Sequence, residues 1–187
     1  PAASATTVYS STFSLTSPGS LTKTITNLPT GSSCTIAETG TAGATSSVVS
    51  GTATIGNGTT AKVTVTNTYS DATLTVSKQV NSSAVDASSN PALVDYAFPM
   101  SVVCTFQGAT VLGNGYSASP MTFTLTQGTS KAIGGLPAGA SCTITETDSK
   151  GADSTTVATV NANGSASTSG TSATLTLTKD NPAGTNT

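Results

Sequence analysis

The chain has 187 residues, of which 7% are charged, a formal net charge of -2, and no Arg, His or Trp. Without Arg there is no basic patch to neutralise phosphates, and the few aromatic residues form no platform for stacking bases, which excludes nucleic-acid partners. No apolar run approaches the about 20 residues that cross a bilayer, and no signal peptide heads the chain, so any secretion signal or anchor is expected outside this segment.

Ser, Thr, Gly and Ala make up most of the chain's surface. Apolar residues fall at every second position in short runs bounded by Gly and Pro, which is the pattern of strands and not of a linker. In chain order the first run is Thr-Phe13-Ser-Leu15-Thr, followed by a Leu28-Pro29 turn and the strand motif Cys34-Thr-Ile36-Ala-Glu38-Thr. Gly56-Asn57-Gly58 is expected as a hairpin turn, and Lys62-Val63-Thr-Val65-Thr-Asn67-Thr-Tyr69 as a closing strand. A new opening strand, Ala72-Thr-Leu74-Thr-Val76-Ser-Lys78, then leads to a second strand around Met100 to Phe106 and to another expected hairpin turn at Gly113-Asn114-Gly115.

From there the chain repeats itself. Thr-Phe123-Thr-Leu125-Thr echoes the first run, Leu136-Pro137 the turn, and Cys142-Thr-Ile144-Thr-Glu146-Thr the motif, before Ala173-Thr-Leu175-Thr-Leu177-Thr-Lys179 ends the pattern. A Cys, a Glu and a Leu-Pro turn recurring in order predict two copies of one module. We expect β-sandwich repeats at 1-70, lacking its N-terminal strands, and at 71-187, possessing the opening strands but without a clear closing one. Such a window fits a segment cut from a longer array.

Alternation places polar groups on inward faces. Leu74, Val76, Lys78 and Val80 share one parity; so do Val63, Val65, Asn67 and Tyr69; and Cys34, Ile36 and Glu38 match Cys142, Ile144 and Glu146. Burying a lone ammonium or carboxylate is costly. In combination, a buried Lys, Asn and Glu have a use: desolvation favours the neutral amine as nucleophile, while a protonated Glu polarises the Asn carboxamide. Attack expels ammonia and leaves an amide crosslink. The competing reading has Lys78 reach water past the end of its strand, and Glu38 and Glu146 face solvent.

Leu74-Thr-Val-Ser-Lys78, Cys142-Thr-Ile-Thr-Glu146-Thr and Val63-Thr-Val-Thr-Asn67-Thr-Tyr together resemble the B-type repeats of collagen adhesins and the related Spa-type pilin domains, more narrowly an uncharacterised actinobacterial surface-domain family close to them. The resemblance covers nearly the whole chain. It implies tandem immunoglobulin-like (Cna-B-like) sandwiches in an all-β chain, with a first-strand Lys bonded to a last-strand Asn, the Glu assisting, and the domains forming stalks and fibres. Each copy carries two of the three groups: Glu38 and Asn67 in the first, Lys78 and Glu146 in the second. For the second copy Asn181 is a candidate partner because it shares parity with Leu175, Leu177 and Lys179, although Lys179 occupies the position that aligns with Asn67 without a gap.

The resemblance also implies a Cys104–Cys142 disulfide, worth roughly 4 kcal/mol in the chain-entropy model, and an oxidising compartment. The counterpart expected for Cys34 would precede Pro1; a free thiol or an intermolecular bridge are the alternatives. No metal or cofactor is expected, since His is absent, the carboxylates are scattered, and no helix follows the Gly-rich turns. The three Asn-x-Ser/Thr sequons at Asn57, Asn81 and Asn163 are read as chance in so Ser/Thr-rich a chain.

The expected function is therefore non-enzymatic: a repeat of an extracellular, cell-wall-attached stalk of a Gram-positive bacterium, contacting neighbouring repeats and projecting a tip toward a host or surface ligand. The alternative is a filament subunit, in which the Lys179 strand of one subunit completes the first copy of the next and meets Asn67. A ligand-binding adhesin module is disfavoured by the shortage of aromatic and charged loop residues.

Overall fold

The computed structural model describes residues 6–16, 21–49, 52–85, 87–89, 92, 96–179 and 187. The protein is all-β, with no helix among the described residues. It divides into two compact units, one holding Pro1–Thr41 and Ser47–Asn67, the other Ala42–Ser46 and Thr68–Thr187.

Among the described residues four short strands belong mainly to the first unit: β1 (Ser33–Cys34), β2 (Ser46–Val49), β3 (Ala53–Thr54) and β4 (Val65–Thr68). They pair two by two, β1 with β3 and β2 with β4. Alternation of half-buried and exposed residues continues past β1 through Ile36 to Glu38, and runs from Val63 to Asn67, yet ladder pairing covers only part of each expected strand. The run around Phe13 and Leu15 is not a strand, and both side chains are exposed.

The second unit has β5 (Asp71–Ser77), β6 (Phe98–Phe106), β7 (Ala109–Val111), β8 (Met121–Leu125), β9 (Ser130–Pro137), β10 (Ser141–Glu146), β11 (Thr156–Asn161), β12 (Gly164–Ser169) and β13 (Ser172–Thr176). The main sheet runs β13-β10-β6-β7, with β8 also paired to β6. β5 pairs with β9 antiparallel, Val76 opposite Lys131 and Leu74 opposite Ile133, with a bulge on the β9 side at Gly134-Gly135. The β5–β9 ribbon contributes Leu74, Val76, Ile133 and Leu136 to the core that the main sheet fills with Val102, Leu125, Ile144 and Leu177, so the two sheets pack face to face as a sandwich. Period-two patterning does this directly: β10 alternates half-buried and buried residues along its whole length, with Cys142, Ile144 and Glu146 inward.

The expected hairpin turns differ from those observed. Gly113-Asn114-Gly115 does turn, but the strands flanking it, β7 and β8, both pair with β6 and not with each other. The turn instead docks on β9, Asn114 N–H donating to the Gly134 carbonyl at 2.8 Å. Gly56-Asn57-Gly58 likewise joins strands that pair elsewhere, β3 with β1 and β4 with β2. The tight hairpin after β6 is made by Gln107-Gly108, both at positive φ (50° and 80°), the backbone that a two-residue hairpin of matching twist demands.

Candidate functional site

Lys78 follows the last residue of β5, but its backbone remains fixed. Its N–H donates to the Thr129 carbonyl at 3.0 Å, and its own carbonyl accepts from Gly128 N–H at 2.9 Å. The inward parity of Ala72, Leu74 and Val76, all buried, therefore extends to the lysine, whose side chain keeps 14% of its exposure. Its Nζ donates to Glu146 Oε1 at 2.7 Å and lies 4.3 Å from the centre of the Phe98 ring. Glu146 is brought there by β10, where it completes the buried row behind Cys142 and Ile144.

Desolvating such a pair costs several kcal/mol per ion, offset only by close contact and further partners. Here the partners are the 2.7 Å hydrogen bond and the aromatic face. A groove of about 300 Å³ opens beside the pair, lined by Val76, Lys78, Ile144, Glu146, Val157 and Thr187 among others. β5 is hydrogen-bonded to β9 along one edge, and this groove follows its residues from Leu74 to Gln79.

In the first unit, Glu38 occupies the repeat position of Glu146, and these two are the chain's only glutamates. Its partners differ. Asn67 Nδ2 donates to Glu38 Oε1 at 2.7 Å, and the Ser47 hydroxyl donates to Glu38 Oε2. The hydrogen bond from Ser47, and then that from Asn67, hold the Glu38 carboxyl below its ordinary value of 4.5, against a smaller opposing effect of burial. Glu38 is thus an accepting carboxylate on both oxygens. The sequence pattern instead predicts a protonated Glu donating to the Asn carbonyl; that carbonyl, Asn67 Oδ1, is buried without a hydrogen-bond partner.

Cys104 and Cys142 stand directly opposite on β6 and β10, Cα atoms 4.1 Å apart, and form a disulfide. Their spacing is that of the close, non-hydrogen-bonded type of antiparallel pair. Cys34, the repeat counterpart of Cys142, is a free, half-buried thiol. Lys179 is exposed beyond β13, and Asn181 lies outside the described residues. β13 itself is built into the sandwich: it pairs with β10 from Ser172 to Thr176, Leu175 is buried within it and Leu177 just past its end. Donating this strand to another subunit would expose both leucines.

Tyr69 departs from its expected inward face; it is 48% exposed, its ring edge-on to Phe106 with centroids 6.2 Å apart. Two participants escape sequence reasoning altogether. Ser47 sits in an undistinguished Ser/Thr-rich run, and Phe98 precedes the expected start of its strand, so neither carries a local signal. Among the described residues no cluster of three His, Cys, Asp or Glu is placed to hold a metal, and no helix is long and apolar enough to cross a membrane.

Residues 2–70 and 74–184 match the family model described as a domain of unknown function (DUF5979). No curated protein and no solved structure matches the chain.

Proposed function

The chain belongs to the DUF5979 family, and we propose that it is a structural, non-enzymatic segment of an extracellular stalk or fibre, whose immunoglobulin-like repeats are tied internally by disulfide and Lys-Asn isopeptide bonds. The observation that carries this reading is the pair of half-sites built on equivalent glutamates. One glutamate holds a partly buried lysine and the other an asparagine carboxamide. Combined, they are the nucleophile, the proton carrier and the electrophile of an amide-forming reaction.

In the second repeat, Lys78 passes a proton to Glu146 along their hydrogen bond, and the neutral amine attacks a carboxamide. Nζ–Cγ forms, Cγ–Nδ2 breaks, ammonia leaves with the transferred proton, and Glu146 takes up the second proton that Nζ sheds on becoming an amide. The groove beside Lys78 is the space through which an asparagine-bearing strand reaches the amine, from the same repeat array or from a neighbouring subunit. The disulfide between β6 and β10 favours an oxidising compartment, which fits a cell-surface location on a Gram-positive bacterium. The surface, poor in charge and rich in Ser and Thr, suits a spacer that projects a ligand-binding tip.

Boiled, reduced chain on a denaturing gel tests this. The expected result is a single band that runs faster than the Lys78→Arg variant, because an internal amide keeps the denatured chain compact. A ladder of multiples would move the bond between subunits and favour a filament. Identical migration of wild type and variant as monomers would overturn the crosslink.

A further inference from the structure

The first repeat supplies no lysine to its glutamate, yet it places a different nucleophile there. The two oxygens of Glu38 are shared between the hydroxyl of Ser47 on β2 and the carboxamide of Asn67 on β4, two strands that pair with each other. A carboxylate bridging a hydroxyl and a carboxamide is arranged as a proton carrier between nucleophile and leaving group. The carboxamide is not held there for its full hydrogen-bonding capacity, since Oδ1 is buried without a donor. Buried, unsatisfied groups of this kind are rare in native proteins and call for a reason.

We propose that the first repeat closes itself with an ester between Ser47 Oγ and Asn67 Cγ, formed with Glu38 as general base. Glu38 Oε2 takes the hydroxyl proton as Oγ bonds to Cγ, and charge collects on Oδ1. The Glu38 carboxyl group then turns to bring the protonated oxygen to Nδ2 and delivers the proton there, the Cγ–Nδ2 bond breaks, and ammonia departs as the carbonyl re-forms. Hydroxyl and carboxamide become ester and ammonia, and Glu38 is regenerated. Glu38 is ready to accept because the same two donors keep it ionised. The bond would join β2 to β4 in the repeat whose other ladder, β1 with β3, spans two residue pairs and which has a free cysteine in place of the second repeat's disulfide.

The ester needs Ser47 and the lysine amide needs Lys78 and Glu146, so although Asn67 can serve only one of the two reactions, they can fail separately. Trypsin cuts after Lys23 and Lys62, placing Ser47 on residues 24–62 and Asn67 on the peptide that begins at Val63. The expected finding on the full chain is a branched species joining these two peptides, lighter than their sum by ~17 Da, the ammonia lost in acyl transfer. Mild alkali separates it and leaves a carboxylate at position 67, whereas a lysine amide would survive. Ser47→Ala and Glu38→Ala restore linear peptides at full mass, while Ser47→Thr, which keeps the hydroxyl, retains the branch. Linear peptides at full mass from the wild-type chain overturn the proposal, as does a branch that persists in Ser47→Ala or resists alkali.

Discussion

The two repeats put the same residues to different use. Leu125 is 5% exposed in the second repeat, whereas its counterpart Leu15 is 44% exposed; Cys142 is fully buried and disulfide-bonded, whereas Cys34 is half-buried and free. What separates them is β6. In the second repeat this strand pairs with β7, β8 and β10, and supplies Met100, Val102 and Cys104 to the core. Among the described residues the first repeat has no equivalent strand: its Phe13 run forms no strand, and its Cys-Thr-Ile-x-Glu run pairs only at Ser33–Cys34. Alternating patterning is thus necessary for a strand but insufficient; a partner strand must satisfy its backbone and cover its apolar face.

The largest expected difference between the repeats follows from the disulfide. Replacing Cys104 and Cys142 with Ala should lower the stability of the second repeat by roughly 4 kcal/mol in chemical denaturation, the loop-closure value for the 38-residue separation. Cys34→Ala should leave that transition in place. Next comes the core: Leu125→Ala should cost about 3 kcal/mol, while Leu15→Ala should stay within about 0.5 kcal/mol. An equal loss at both positions would mean that the first repeat has a core of its own.

A smaller effect is expected at the buried pair. Glu146→Gln should cost about 2 kcal/mol, below the usual penalty for orphaning a buried charge, because Lys78 retains 14% of its exposure and the Phe98 face. The smallest effect is set by pH. Glu38 has a folded pKa below its ordinary value, so its contribution is present above that value and lost as pH falls through the folded one. In Ser47→Ala, which forms no ester and keeps the Asn67 carboxamide, an NMR acid titration should therefore shift the Asn67 side-chain amide resonances below pH 4.5 through its hydrogen bond to Glu38. Glu38→Gln should abolish that titration; an amide that titrates unchanged in the variant would remove Glu38 as its cause.

Much of the second repeat was legible in its sequence, because β5 and β10 are amphipathic over their whole length and each polar residue on their inward faces, Lys78 and Glu146, continues an unbroken apolar row. Pairing partners were less legible. Register depends on which strands lie side by side, and nothing local in Gly113-Asn114-Gly115 says that its flanking strands will both choose β6. The Gln107-Gly108 hairpin was hidden because Gln carries no preference for positive φ. At the site, the repeat alone marked Glu38 and Glu146 as equivalent, but their different partners depend on contacts across strands: Ser47 meets Glu38 from β2, and Phe98 meets Lys78 from β6.

The central claim is that the partly buried Lys78 is a nucleophile in a covalent crosslink, and tryptic mass spectrometry of the reduced full chain tests it most directly. The account predicts no cleavage after Lys78, and a species branched at Lys78 that survives mild alkali, lighter by the ~17 Da of one ammonia. Cleavage after Lys78, giving a peptide that runs from Val63 and ends there, would contradict it.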